Sequence, residues 1–179
     1  ASQAPWQLPQ PQLAGKQLLV IEDNATSQRV IRQRATQWGL TMESAANRRE
    51  ALAAIASGKE FHAAIIDLQL PDVDAFALVN EIRATPTGRF LPILLLSSTR
   101  VRSDDPRPHR AGISVILHKP ARPQQVLEGL AQALNVQLQR DKKSSPAPTL
   151  DANLASRLPL RILLADDNPI NQRVAQSVL

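Results

Sequence analysis

Apolar residues fall into five short runs along the chain, and the segments after them carry helical spacing. The runs are Gln17–Ile21, Leu40–Ser44, Phe61–Asp67, Pro92–Leu96 and Ser114–Leu117. Continuous apolar runs of this length, rich in leucine and isoleucine, read as strands buried on both faces of a parallel sheet. Leu40–Ser44 is the weakest and is expected nearer an edge. Asn24 is a candidate N-cap for a helix reaching Trp38, with Ile31, Ala35 and Trp38 on one face and Gly39 as its stop. Asn47-Arg48-Arg49-Glu50 has the spacing of a capping box and opens a short helix with Ala51, Leu52 and Ile55 inward, closed by Gly58. Ala75, Leu78, Val79 and Ile82 mark a third helix, broken at Thr85-Pro86-Thr87-Gly88. The stretch Arg100–Gly112 should hold a fourth, but Pro106 and Pro108 allow a turn or two at most. A fifth helix is expected from about Pro123 to Gln139, burying Val126, Leu127, Leu130 and Leu134. Strand and helix alternating five times predict an α/β fold with a doubly wound, five-stranded parallel sheet.

Composition shifts divide the chain. Residues 1–15 carry Pro5, Pro9 and Pro11 among glutamines and read as a linker, in which Trp6 and Leu8 are free to dock on some surface. Residues 16–139 make one domain. Residues 140–158, with Lys142-Lys143-Ser144-Ser145-Pro146-Ala147-Pro148, read as a second linker. The start of the domain then repeats: Lys16–Ala35 aligns without gaps on Leu160–Leu179, at an offset of 144 that carries Asp23 onto Asp167. Residues 159–179 are therefore expected to be the start of a truncated second copy. A strand and half a helix cannot bury a core, so they should be disordered alone or borrow another surface.

Charge and composition then narrow the function. The net charge is +5 and the pI about 10.4, which brings nucleic acid into consideration. The cations are scattered over different predicted elements, aromatic residues are only 3% and tyrosine is absent, so base stacking has little to work with and no nucleic-acid partner is expected. The densest basic stretch, Arg100 to Arg110, reads as a solvated, proline-broken surface. No apolar stretch approaches the roughly 20 residues of a membrane span, so no membrane contact is expected, and Ala1–Gly15 lacks a signal-peptide pattern. Zero cysteines exclude thiolate metal sites, and the three histidines have no ligand spacing. His62 reads as structural and His118 as an exposed loop residue. Any metal should be held by oxygen, which points to a hard ion such as Mg²⁺.

Five chemically active residues lie at the carboxyl ends of predicted strands: Glu22, Asp23, Asp67, Ser97 and Lys119. In a parallel sheet those ends share one edge, where ligands bind in open α/β folds. Three clustered carboxylates raise one another's pKa values unless a cation neutralises them. An oxygen-only Mg²⁺ site would do so and leave positions for water and a phosphate oxygen. A lysine ammonium can stabilise phosphoryl oxygens as a point charge, and a serine hydroxyl can add a hydrogen bond. This is equipment for phosphoryl transfer to a carboxylate.

The chain resembles the receiver domain of two-component response regulators, whose fold is flavodoxin-like. The resemblance is carried by Val20-Ile21-Glu22-Asp23-Asn24, by Ile65-Ile66-Asp67 with Leu70-Pro71-Asp72 and Asp74, by Leu96-Ser97-Ser98, and by His118-Lys119-Pro120, in order and at the family's separations. It implies Asp67 as phosphoacceptor, with Glu22, Asp23, Asp67 and the backbone carbonyl of Gln69 holding Mg²⁺. Lys119 would contact the phosphoryl group across a cis Lys119–Pro120 bond, and Ser97 would swing toward it and report phosphorylation. The implied partners are a histidine kinase core or a histidine phosphotransfer domain, with the neighbouring second receiver, whose acid pair is Asp166 and Asp167. Tandem receivers resemble the C-terminal part of a hybrid sensor histidine kinase, which implies a cytoplasmic location. Three positions depart from the family pattern. Ile116 stands where an aromatic residue is usual, Ala75 where glycine is usual after Asp74, and the fourth helix is shortened.

An active receiver, with at most self-phosphorylation and slow hydrolysis of its own phosphoryl group, is the first expectation. A degenerate receiver serving as a docking or spacer module is the alternative, favoured by Ile116 and the broken fourth helix. An aspartyl-phosphate hydrolase would want a second acid two residues after the nucleophile, where Gln69 stands. A nucleotide-binding site is excluded, since no strand is followed by G-x-G-x-x-G or a P-loop.

Overall fold

The five apolar runs pair side by side into one parallel sheet in the computed structural model, which describes residues 5–99 and 105–138. The strands are β1 (Gln17–Ile21), β2 (Thr41–Ala45), β3 (Ala63–Asp67), β4 (Ile93–Ser97) and β5 (Val115–His118). The helices are α1 (Ala25–Gln37), α2 (Arg48–Ala56), α3 (Ala75–Arg83), α4 (Arg107–Arg110) and α5 (Pro123–Ala133). The strand order is β2-β1-β3-β4-β5, so the winding reverses between β1 and β3. In such a sheet the crevice outside the carboxyl ends at that switch point is where ligands bind. The weakest run, β2, lies at an edge as expected.

Alternation within each strand sends side chains to two cores. Leu19, Ile21, Ala64, Ile66, Ile93 and Leu95 meet α2 and α3 through Ile55, Leu78, Val79 and Ile82. Leu18, Val20, Ala63, Ile65, Leu94 and Leu96 meet α1 and α5 through Ala35, Trp38, Leu127 and Leu130. Burial on both faces explains why β3 and β4 are apolar without alternation, being buried along their whole length.

The helix starts follow the capping chemistry. Asn24 Oδ1 accepts from the Thr26 and Ser27 N–H groups at 2.9 and 3.1 Å. Asn47 accepts from the Glu50 N–H at 3.0 Å, while Glu50 reaches back to the Ala46 N–H at 2.8 Å, one residue earlier than in the standard box. The helix ends were less legible. The fifth helix stops at Ala133 rather than near Gln139, because Asn135 adopts a left-handed φ of 52° and Val136 N–H turns back to the Ala131 carbonyl. Asn tolerates that conformation at a helix end, but the apolar spacing through Leu138 continues past it and masks the stop. α4 is a single turn of four residues, as its prolines require.

The end of the N-terminal proline-rich stretch is packed against the domain. Trp6 packs on the α1/α5 side, where its carbonyl accepts from Trp38 Nε1 at 2.8 Å and its ring lies 5.2 Å from the Arg34 guanidinium. Leu13 is fully buried in the same core. Residues 140–179, which hold the second linker, the repeat and its acid pair Asp166 and Asp167, lie outside the described residues. Among the described residues no helix is long and apolar enough to cross a membrane.

Arg83, at the end of α3, ties two loops to the helix. Its Nη1 donates to the Gly88 and Leu91 carbonyls at 2.7 and 2.6 Å, and its Nη2 to the Gly112 carbonyl at 3.0 Å. Replacing it by leucine leaves these acceptors without their charged donor, and hydrogen bonds to charged groups are worth about 1.5–3 kcal/mol each. Arg83→Leu should lose roughly 2–3 kcal/mol of stability by urea denaturation. The exposed Arg89→Leu should stay within about 0.5 kcal/mol of wild type.

Candidate functional site

β1, β3 and β5 bring charged residues to the same edge of the sheet, at the last position of β3 and directly after β1 and β5. Register explains the convergence: Ile21 pairs with Ile66, Asp67 with Leu96, and Ser97 with His118. Glu22 and Asp23 thus follow β1 beside Asp67 at the end of β3, and Lys119 follows β5. One carboxylate oxygen from each of Glu22, Asp23 and Asp67 lies within 4.8 Å of the others. Glu22 and Asp67 are buried, at 2% and 5% exposure, while Asp23 faces solvent.

Lys119 holds the two buried acids together. Its Nζ donates to Glu22 Oε2 at 2.7 Å and to Asp67 Oδ2 at 2.8 Å. The second oxygen of each acid accepts from the backbone: Asn24 N–H donates to Glu22 Oε1 at 3.3 Å and Gln69 N–H to Asp67 Oδ1 at 3.1 Å. Burial raises the Glu22 pKa above the ordinary carboxylate value, and the neighbouring Asp67 charge adds to this against the opposing Lys119 hydrogen bond. For Lys119, burial works against the ammonium, but its hydrogen bonds to Asp67 and Glu22 outweigh that and raise its pKa. One ammonium therefore offsets two buried carboxylates incompletely, and Asp23 adds a third.

The donor set fits a hard divalent cation such as Mg²⁺. It is made of carboxylate oxygens alone, one of them on the solvent side, and carries more negative charge than Lys119 neutralises. Gln69 lies in the turn directly after β3, with its N–H on Asp67, so its residue sits beside the acid cluster.

Ser97 is fully buried at the end of β4. Its hydroxyl donates to the Thr99 carbonyl and accepts from the Thr99 N–H, so it is engaged in its own loop and not with Asp67. Its carbonyl accepts from the Lys119 N–H at 2.7 Å, which anchors the start of the lysine loop. The Lys119–Pro120 peptide is cis, as the resemblance implied. His118 is exposed, and His62 Nδ1 accepts from the Gln17 N–H at 3.1 Å, a structural role. Glu22, Asp23, Asp67 and Lys119 are thus brought together, Ser97 stands beside them, and Asp166 and Asp167 are outside the described residues.

Two features at the site were not legible as function. Gln28, in the first turns of α1, donates from its side-chain amide to the Glu22 carbonyl. Its one sequence signal is recurrence as Gln172 in the repeat. An apolar groove of about 520 Å³ also runs between α1 and α5, with Glu22 and Lys119 at one end and Val30, Ile31, Trp38 and Val126 along it. Val30 is half exposed there, at 53%. The apolar pattern of α1 placed Ile31, Ala35 and Trp38 on one face but did not show that this face lines an open groove.

Residues 18–131 match the family model described as the response regulator receiver domain. Among curated proteins, the chain is 27% identical over 104 residues to the sensor histidine kinase CheAY of Helicobacter pylori, a match covering 58% of this chain and 13% of that protein. The chain therefore spans only a small part of that relative's length. Among solved structures, the chemotaxis response regulator CheY4 of Vibrio cholerae superposes with a TM-score of 0.62 at 27% identity, covering 66% of this chain and 98% of that one. The receiver domain of a Pseudomonas aeruginosa sensor histidine kinase, solved with a magnesium ion coordinated in its active-site cleft, superposes with a TM-score of 0.59 at 27% identity, covering 68% and 99%.

The raised Glu22 pKa has a measurable consequence in metal-free protein. A carboxyl whose folded pKa exceeds its unfolded one takes up a proton on folding between the two values. Stability should then rise as pH is lowered from neutral through the folded pKa, and level off below the unfolded one, as far as Glu22 contributes. Urea midpoints across this range should show that contribution in wild type and lose it in Glu22→Gln.

Proposed function

The chain belongs to the response regulator receiver domain family, and from that membership we propose that Asp67 accepts a phosphoryl group from a phosphohistidine in a two-component phosphorelay. The observation that carries this reading is the contact of Lys119 Nζ with both Asp67 and Glu22, with Asp23 completing the acid cluster.

The step is a displacement at phosphorus. A carboxylate oxygen of Asp67 forms the new P–O bond as the P–N bond to the donor imidazole breaks, and the bonding pair stays on that ring nitrogen. Gln69 N–H holds Asp67 Oδ1, which leaves Oδ2, the oxygen on Lys119, as the one whose partner can be exchanged. Lys119 then passes from Asp67 to an oxygen of the incoming phosphoryl group, following it as a point charge. Glu22, Asp23, Asp67 and the Gln69 carbonyl would hold Mg²⁺, which when bound neutralises charge on the phosphoryl oxygens. Ser97 would exchange its Thr99 carbonyl for a phosphoryl oxygen, altering the loop after β4. Ile116 cannot follow that motion as a hydrogen-bonding or stacking aromatic, so output would pass through the loop itself.

The donor would be a histidine kinase core or a histidine phosphotransfer domain, docking along the apolar α1/α5 groove that ends at Glu22 and Lys119. The repeat of β1 and the start of α1 at residues 160–179 supports a tandem-receiver arrangement, as in the C-terminal part of a cytoplasmic hybrid kinase region. A docking or spacer module without regulated phosphorylation is the second reading, favoured by Ile116 and the single-turn α4.

Intact-mass spectrometry after acetyl phosphate treatment separates the two. A single phosphoryl adduct should form with Mg²⁺ and not without it, be absent in Asp67→Asn, and form at least about tenfold more slowly in Lys119→Met. A folded, Mg²⁺-binding protein that takes no adduct would instead favour the docking module.

A further inference from the structure

The three acids are not held alike. Glu22 and Asp67 each have both carboxylate oxygens fixed, one by Lys119 and one by a backbone N–H. Asp23 is exposed, and among the described residues no hydrogen bond or ion pair holds its carboxylate. Its aim is set by its own backbone, above all by the peptide plane that joins Glu22 to Asp23. The carbonyl of that plane is the Glu22 carbonyl, and it accepts from Gln28 Nε2. Because a peptide is planar, fixing its oxygen fixes the direction in which the chain enters Asp23.

Gln28 is well placed to impose this. Asn24 caps α1 through Thr26 and Ser27, and its carbonyl accepts from the Gln28 N–H at 3.0 Å. The Asn24 N–H meanwhile holds Glu22 Oε1. The turn between β1 and α1 is thus closed from both sides around the Glu22–Asp23 peptide. The repeat supplies an independent observation. Ala25-Thr26-Ser27 is replaced by Pro169-Ile170-Asn171, yet a glutamine stands six residues after the first acid in both copies, at Gln28 and at Gln172.

We propose that Gln28 is a positioning residue for the metal site, holding the Glu22–Asp23 peptide so that the Asp23 carboxylate is aimed at a shared divalent cation. This rests on the Mg²⁺-dependent reading above. The competing role is plain satisfaction of a buried carbonyl, which would affect stability and leave ion affinity alone. Outer hydrogen bonds that orient metal ligands are worth about 10–100-fold in affinity.

Isothermal titration with MgCl₂ on the full chain, compared with urea midpoints in metal-free buffer, tests it. Gln28→Met keeps size and helix propensity while removing the donor, and should weaken Mg²⁺ binding about tenfold. Gln33→Met, an exposed change on the same helix, should leave binding unchanged. Unchanged Mg²⁺ affinity in Gln28→Met with a lowered urea midpoint would overturn the proposal. Gln28→Ala carries the same expectations if Gln28→Met does not fold. Wild-type protein that binds no Mg²⁺ would overturn the functional reading itself, and this proposal with it.

Discussion

Three carboxylates and one ammonium at a single sheet edge are the constraint around which this domain is arranged. Two of the acids are buried, where charge is costly, and among the described residues Lys119 alone spans them. Such a cluster persists only if the surrounding fold holds it, because each carboxylate would otherwise move apart or take up a proton. The parallel sheet supplies that hold. β1, β3 and β5 run in one direction, so residues far apart in sequence, such as Glu22 and Lys119, are delivered to the same edge by register. The residual negative charge is what makes the site suited to a cation, and its oxygen chemistry is what makes that cation a hard one.

The core serves the same end. Sheet faces packed by α2 and α3 on one side and by α1 and α5 on the other leave β3 and β4 no freedom to slide, since a one-residue slip would send every side chain to the wrong face. Asp67 and Ser97, at the last positions of those two strands, inherit that rigidity. The flanking loops are held by local devices: the Asn24 cap after Glu22, the Gln69 N–H on Asp67, and the Ser97 carbonyl on the Lys119 N–H. Two of the three departures from the family pattern lie elsewhere. The four-residue α4 and Ile116 lie on the β4/β5 side, where Arg107 stacks on Phe76 at 4.7 Å.

What the sequence determined alone were the features with short-range causes. Continuous apolar runs specified the buried strands, Asn24 and Asn47 specified helix starts, and Pro106 and Pro108 limited α4. The strand-end positions of Glu22, Asp23, Asp67 and Lys119 were legible because a parallel sheet has only one carboxyl edge. The end of α5 was not, since Leu138 continues its apolar spacing beyond the left-handed Asn135. Other features were decided only by tertiary structure. That Lys119 bridges both buried acids, that Ser97 is turned to Thr99, that Gln28 reaches the Glu22 carbonyl, and that Trp6 lies on α1 all depend on side-chain directions across packed elements. Periodicity says which face of a strand or helix is buried. It does not say which polar atom on one element meets which atom on another, because that is settled by distances of a few ångströms that arise only when the elements pack together.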